Sequence, residues 1–356
     1  MVATCQIPFA HPSGLDCKTD LDLIKNRIKN REQPWLKQFE EVKSLAVSGN
    51  HAKAFINSRN EDAEMMKIDA KKTYANALIW YFTDNDRYAK QAIDILNAWS
   101  VLQGFNGGND QDKLQAGWIG SLFGAAAELV NGYAGWSSED KKNIQLMFKR
   151  AYYPQLNKAS TWNGNVDLTQ IDAMINIAVF NEDRTELKLA IERFNKRIPS
   201  YFYQTTDKEV PSIDGDRGNV DAFWNHPLKW VDGLTQETCR DNGHHAQYAL
   251  ASALHIAEVA WHQGIDLYAE NEKRLTDAME LLALQVESRN MQGTCQNDTT
   301  THDVFDTWEV GYHHYHSRKG IKLPFTEKVL KNKVRKYGKS DWNIFHETLT
   351  HGDTIE

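Results

Sequence analysis

The chain has 356 residues, of which 41% are hydrophobic and 25% charged, and a formal net charge of −7. These proportions are ordinary for a globular protein, and the acidic balance argues against a nucleic-acid partner, which calls for a basic face. No apolar run approaches the ~20 residues that a bilayer span needs, so no membrane partner is expected.

Helical spacing of apolar residues dominates the chain. Leu21, Leu23, Ile24 and Ile28 predict a first helix over 19–30. Pro34 opens a second, at a position where its missing N–H costs nothing. A long helix is predicted over 63–82, ended by Thr83-Asp84-Asn85-Asp86, and Tyr88, Ile93, Ile95, Leu96 and Trp99 mark another over 87–100. Gly104 to Gly108 breaks the pattern before a helix over 114–130, and Ser137-x-x-Asp140 reads as a variant capping box for the next. The second half predicts helices over 166–180, 184–197, 244–261, 267–286, 305–318 and 326–337.

Strand alternation is almost absent. The long irregular stretch 207–235 carries Phe223, Trp224 and Trp230 and is expected to form a cleft wall or lid. About a dozen helices without heptads suggest antiparallel hairpins, either stacked as a solenoid or curled into an incomplete (α/α) toroid. No clean internal repeat is present, which disfavours the solenoid. The expectation is an all-α fold with one domain over 1–356.

Four cysteines occur, Cys5, Cys17, Cys239 and Cys295, with no CxxC pair. Two disulfides, Cys5–Cys17 and Cys239–Cys295, are the favoured pairing, with four buried free thiols as the alternative. The sequon Asn297-Asp298-Thr299 fits the oxidised reading. No signal peptide is visible, but the residues after Met1 read like a mature N-terminus. A secreted or periplasmic protein is therefore expected.

The segment from Gln236 to Tyr248 holds the densest chemistry. Arg240, His244 and Tyr248 are four apart and would share one face of a helix. A cation, an imidazole and a phenol on one stripe are expensive to bury without use. Gly243 inside the pattern is a second possibility for the helix start, which would leave Arg240 on the preceding turn. Such a stripe suits β-elimination of a uronate. That reaction needs a partner for the C5 carboxylate, a base for H5 and an acid for the departing oxygen. A tyrosine beside an arginine can serve as both base and acid, because the cation lowers the phenol pKa. Trp162-Asn163-Gly164-Asn165 supplies amides just before a helix. Asn165 is a natural N-cap, whereas Asn163 is harder to explain that way and suits a carboxylate.

Taken together, these residues resemble the alginate-lyase superfamily, the alginate and polyuronate lyases related to polysaccharide lyase families 5 and 38. The resemblance rests on His11-Pro12-Ser13-Gly14-Leu15, Pro34-Trp35, Ala98-Trp99-Ser100, Leu114-Gln115-Ala116-Gly117 and Ala125-Ala126-Ala127-Glu128. It continues through Trp162-Asn163-Gly164-Asn165, Gln236-Glu237, Arg240-Asp241, His244, Gly264-Ile265-Asp266-Leu267-Tyr268, Trp308-Glu309 and Tyr312-His313-His314-Tyr315. It implies an incomplete (α/α) toroid with a long cleft and β-elimination without metal or cofactor. The implied substrate is an acidic polysaccharide, with polymannuronate in alginate favoured and glucuronan as the alternative.

By the same resemblance Tyr248, eight residues before Ile256-Ala257-Glu258, is the catalytic base and acid. Asn163 matches the first residue of an Asn-Asn-His motif, and Asn165 stands where that motif has histidine. His244 is then the first choice to neutralise the carboxylate, with His226 and His245 in reserve, and Arg240 matches the family arginine with a one-residue offset. Asn165, Trp162, Gln236, His226, Trp224, Tyr312 and His245 are expected to line the substrate. Trp118 and Trp230 are further candidate sugar platforms.

Adjacent histidines at 313–316 point in different directions on a helix, and no H-E-x-x-H occurs, so a structural or substrate-lining role is expected there rather than zinc. Two rival functions remain. One is an inverting hydrolase using carboxylates from Glu237, Asp241, Glu309 and Asp172. The other is a non-catalytic glycan binder. A monomer is expected in either case.

Overall fold

The structure, a computed structural model, describes residue 9 and residues 11–47, 57–58 and 63–355. Cys5, and with it the expected Cys5–Cys17 bond, lies outside the described residues. In chain order the helices are α1 (Lys18–Lys29), α2 (Trp35–Val47), α3 (Ala63–Thr83), α4 (Asp86–Trp99), α5 (Asp110–Val130) and α6 (Ser138–Met147). They continue with α7 (Tyr153–Leu156), α8 (Gly164–Phe180), α9 (Arg184–Arg197), α10 (Val220–Phe223), α11 (His244–His262) and α12 (Leu267–Glu270). The last are α13 (Glu272–Ser288), α14 (Glu309–Tyr312), α15 (Pro324–Val329), α16 (Arg335–Tyr337) and α17 (Glu347–His351). Among the described residues the only sheet pairs Asn57–Ser58 with Gly104–Phe105 in parallel.

The burial pattern sorts these helices into two layers. Residues 114–130 of α5, 164–180 of α8 and 246–260 of α11 are buried on every side. A helix that is apolar all round belongs inside. By contrast, α4 buries one stripe (Tyr88, Ala89, Ala92, Ile93, Ile95, Leu96, Trp99), and α9 buries Leu187, Ala190 and Phe194 along one face. The inner helices α3, α5, α8 and α11 pack side by side in that order, while α4 covers α3 and α9 covers α8. On the remaining side α11 meets α14, α14 meets α17, and α17 packs on α1 and α2. The Trp35 indole donates to the Gly352 carbonyl at 3.0 Å, so the end of the chain closes on its start. The architecture is the expected all-α toroid.

Close packing of α5 on α8 depends on a small residue. A Cβ at Gly117 would lie 2.6 Å from Thr169 Cγ2 and 2.9 Å from the Thr169 backbone, inside van der Waals contact.

Helix boundaries agree with expectation where periodicity is strong and fail where tertiary pairing competes. The predicted helix 305–318 starts only at Glu309, because Phe305 is drawn into a bridge with Lys339 and Trp308 takes a left-handed φ of 75°. It then widens into a π-helix over His313–Arg318. The predicted helix 267–286 is broken at Asn271, and the region 326–337 is interrupted by a π-turn at Leu330–Val334. Residues 207–235 are indeed irregular apart from α10.

Candidate active site

The amino-terminal turns of the four inner helices converge on one carboxy-terminal loop. Trp342 in that loop stacks on Trp118 of α5, with ring centroids 3.4 Å apart, and packs with Leu114 and with Val166 of α8. It also borders the cluster of Tyr248 and Ala251 (α11), Phe305 and Ile344. The Lys67 ammonium of α3 sits 3.9 Å from the Trp342 ring. Parallel helix N-termini gathered at one place favour an anionic ligand.

Tyr248 is buried one turn into α11, beyond a helix start that the sequence partly anticipates. Gly243 adopts φ 92° as the N-cap, so the helix begins at His244 and Arg240 lies on the preceding turn, off the Tyr248 stripe. The Tyr248 hydroxyl donates to Asp341 Oδ2 at 3.0 Å. Burial, then the Asp341 charge, push the phenol well above its ordinary pKa, although the Trp342 indole hydrogen bond opposes this. The premise of an arginine-lowered phenol is thereby corrected. The guanidinium of Arg240 instead reaches Glu237 Oε1 at 2.7 Å.

Two imidazoles flank the phenol. The His244 ring lies 5.6 Å and the His245 ring 5.7 Å from the Tyr248 ring, centroid to centroid. His244 Nδ1 bonds Asp303 at 2.9 Å, which orients the ring and leaves Nε2 without a partner among the described residues. His245 Nδ1 is held by Asp241. Behind the loop, Asn343 donates to Asp172 Oδ2 at 2.9 Å and to Ser252 Oγ at 3.0 Å, and His255 bridges Asp172 and Glu347. Burial lowers the His255 pKa, but the two carboxylates outweigh it and raise it to about 10. A charged, hydrogen-bonded network thus fixes the floor under Tyr248.

The cap of α8 falls to Asn163 and not to Asn165. Asn163 is the N-cap of α8, its Oδ1 accepting from Val166 N at 3.3 Å and from Asn165 Nδ2 at 3.0 Å. Its own amide nitrogen has no partner among the described residues, so it can still meet a carboxylate. Asn165 is buried with its amide donating to Glu237 Oε1 at 2.8 Å, which corrects its expected place on the substrate. The same applies to Gln236, whose side chain ties Gly164 N (2.8 Å) to the Phe223 carbonyl. Trp224 is only 1% exposed and packs on Tyr203 and Trp230, and Tyr312 is 2% exposed, so neither offers a sugar platform. Trp162, by contrast, is 44% exposed.

Beside this centre lies a polar cavity of about 630 Å³ lined by Asn225, His226, Arg240, Asp241 and His302, among others. Tyr248 is not in its lining; Asp241, which holds His245, joins the two. The Cys239–Cys295 disulfide, with Cα atoms 5.2 Å apart, staples this wall across 56 residues. Loop-closure entropy for that length amounts to about 4 kcal/mol. Replacing both cysteines by serine is expected to cost 2–4 kcal/mol, about the usual range for such a bond, in urea unfolding, and reduction of the wild type should reproduce the loss.

Sequence reasoning missed Asp341, Trp342, Lys67, Lys71, Asp303 and His302. Lys67 and Lys71 stand four apart on α3, a visible cation stripe, but nothing local marks Asp341, which is 93 residues from its phenol. Burial brings the Lys71 ammonium down to about 8 against the opposing pull of Asp341.

The other end of α11 is also polar. Cys17, Asp20 and His262 come within mutual ligand distance. Arg318 already donates to Asp20 at 2.6 Å and to Glu258 at 2.7 Å, so a guanidinium neutralises the carboxylates that a metal would need. The 14 residues between Tyr248 and His262 put this network about 21 Å away along the helix.

An (α/α) toroid with a phenol, imidazoles and cations gathered at the N-terminal ends of its inner helices fits the class, a polysaccharide lyase. The chain belongs to the alginate lyase family, whose profile matches residues 27–202 and 228–291, more than half of the chain. Among solved structures it is similar to a variant of alginate lyase A1-III complexed with a tetrasaccharide (TM-score 0.70, 13% identity, 99% of this chain and 98% of that one). Alginate lyase A1-III from Sphingomonas species A1 matches at TM-score 0.66 and 13% identity, over 97% of each chain. An alginate lyase from Bacteroides ovatus matches at TM-score 0.64 and 11% identity, over 98% of this chain and 100% of that one. No curated protein matches significantly by sequence.

Proposed function

We propose that the chain cleaves an acidic, uronate-containing polysaccharide by β-elimination, with polymannuronate the favoured substrate and Tyr248 the base and acid. The observation that carries this reading is the placement of Tyr248, its ring flanked by His244 and His245 and its hydroxyl on Asp341, where four helix N-termini meet. The free Asn163 amide and the unpartnered His244 Nε2 are the groups proposed to hold the C5 carboxylate, so that charge flowing into it is met by donors already in place. Arg240, 39% exposed at the rim of the side cavity, would bind a neighbouring uronate rather than tune the phenol, and His226 faces the same cavity.

The carboxylates that a hydrolase would need are committed elsewhere. Glu237 bonds Asn165 and Arg240, Glu309 bonds Arg335, Asp172 bonds His255 and Asn343, and Asp241 bonds His245. None is free to hold an attacking water. The disulfide favours an oxidising compartment, and we read the protein as secreted or periplasmic and monomeric. Among the described residues no helix is long and apolar enough to cross a membrane.

A panel of polymannuronate, polyguluronate and glucuronan, followed by the ultraviolet absorbance of the unsaturated product, tests the substrate. Mannuronate and glucuronate both place H5 and the C4 oxygen on one face, within reach of a single phenol. Polymannuronate is expected to react fastest, glucuronan next and polyguluronate least. Preference for polyguluronate would refute a syn elimination by Tyr248.

A further inference from the structure

The phenol of Tyr248 has a chemical problem that its surroundings define. Arg240 is occupied by Glu237, and the hydroxyl sits buried beside a carboxylate, so it stays protonated at neutral pH. A protonated phenol accepts H5 only if it passes its own proton on. Among the described residues its hydroxyl proton has one acceptor, Asp341 Oδ2 at 3.0 Å.

We propose that Asp341 is the proton acceptor for Tyr248, so that a tyrosine–aspartate pair, not a lone tyrosine, performs the elimination. This rests on the lyase reading above. The carboxylate is built for the part. Its Oδ1 accepts the Trp342 backbone N–H at 2.9 Å and faces Lys67 at 3.8 Å and Lys71 at 4.0 Å, which leaves Oδ2 to the phenol. The loop that carries it is pinned by Lys71 to the Ser340 carbonyl at 3.2 Å and by Asn343 to Asp172 and Ser252. About a third of the side chain (35%) stays exposed, so its proton exchanges with water. Trp342 packs against the Tyr248 cluster, and its indole counteracts the upward shift of the phenol.

The step balances without a co-reactant. As the C5–H bond breaks, H5 moves to the Tyr248 oxygen and the hydroxyl proton moves to Asp341 Oδ2. The C5–H electron pair becomes the C4–C5 double bond, and the C4–O bond breaks with its pair on oxygen. Tyr248 then protonates that oxygen and recovers its proton from Asp341. The charged and titratable groups around the pair are Glu64, Lys67 and Lys71 on α3, His244 and His245 on α11, and Asp303 before α14.

The test compares wild type, Asp341→Asn, Asp341→Glu and Tyr248→Phe as full-length chains, measuring kcat and KM from pH 6 to 10 on the uronan that the wild type turns over. Asp341→Asn is expected to lower kcat at pH 7 about 10²–10³-fold with little change in KM, the scale of one proton-transfer partner. Its residual rate should climb about tenfold per pH unit as hydroxide deprotonates the phenol in place of the aspartate, whereas the wild type levels off. Asp341→Glu should recover part of kcat and the plateau. Thermal unfolding of each variant separates loss of chemistry from loss of fold. A wild-type rate and pH profile in Asp341→Asn overturns the pair while leaving the lyase reading intact. A loss that is flat with pH and unrecovered by glutamate also overturns it, reducing Asp341 to a structural anchor. Full activity in Tyr248→Phe would remove the tyrosine mechanism and the pair with it.

Discussion

Tyr248→Phe is expected to lower turnover by at least about 10³-fold while polymer binding changes only a few-fold, because in the proposed mechanism one oxygen serves both proton transfers. The substitution removes a single atom from a side chain that is 2% exposed and packed on Phe305, so the ring remains in place. What is lost is the hydroxyl bridge between Asp341 and the position of H5. The measurement is kcat by absorbance of the unsaturated product, with binding followed separately on the inactive variant. The stability change should be small and of either sign, since the deletion also relieves Asp341 of a buried neighbour.

Asp167→Ala is the largest expected loss of stability, about 3–5 kcal/mol, the cost of leaving buried charges unpaired. Asp167 is fully buried in the first turn of α8. Its Oδ1 accepts from Arg193 Nε at 2.8 Å, and its Oδ2 accepts from Tyr201 Oη at 2.6 Å and also pairs with Arg197. Removing it strands two guanidiniums and frees the turn that carries Asn163 and Asn165. Burial raises the Asp167 pKa, but Arg193 and Arg197 outweigh it and hold the carboxyl below its ordinary range. The sign follows from that depression. The contribution is complete above the unfolded value, about 3.9, and fades as pH falls through the lower folded value. Urea unfolding at pH 7 and pH 3 checks both parts: the variant should lose most at pH 7, and the gap should narrow in acid. Equal losses at both pH values would remove the ion-pair explanation.

The fold was largely legible because α5, α8 and α11 are rich in apolar residues on all sides. The stretches 114–130, 166–180 and 244–261 are apolar enough to force burial, and their outer partners show single stripes. Boundaries failed where a residue had a distant partner, as Phe305 does with Lys339. The site was legible in part. Tyr248, His244 and His245 come together because they are local to one helix, and the glycine before them caps it. Asn163 and Asn165 were correctly placed at the helix start, but the cap fell two residues earlier than expected, on Asn163, because helix ends are the least sharply encoded part of a helix. Trp224 stood out as an aromatic in a polar loop, yet burial against Tyr203 and Trp230 explains it better than sugar stacking. Asp341, Trp342 and the lysines on α3 reach the site from opposite ends of the chain, a meeting that helical periodicity does not encode.

These long-range contacts change the chemistry as well as the list of residues. An arginine beside Tyr248 would make the phenol a ready base; a carboxylate beside it makes it a donor that needs an acceptor. The lysines at the site face Asp341 rather than the phenol, and in the proposed mechanism the cations also meet the substrate carboxylates. An acidic chain can still draw in a polyanion through such a local field.

The most direct test of the central claim is the ratio of unsaturated uronate ends to new reducing ends released from polymannuronate by the wild-type protein. β-Elimination makes one of each at every cut, so the account predicts a ratio of one throughout the time course. New reducing ends that accumulate without ultraviolet absorbance would contradict it and show hydrolysis in place of elimination.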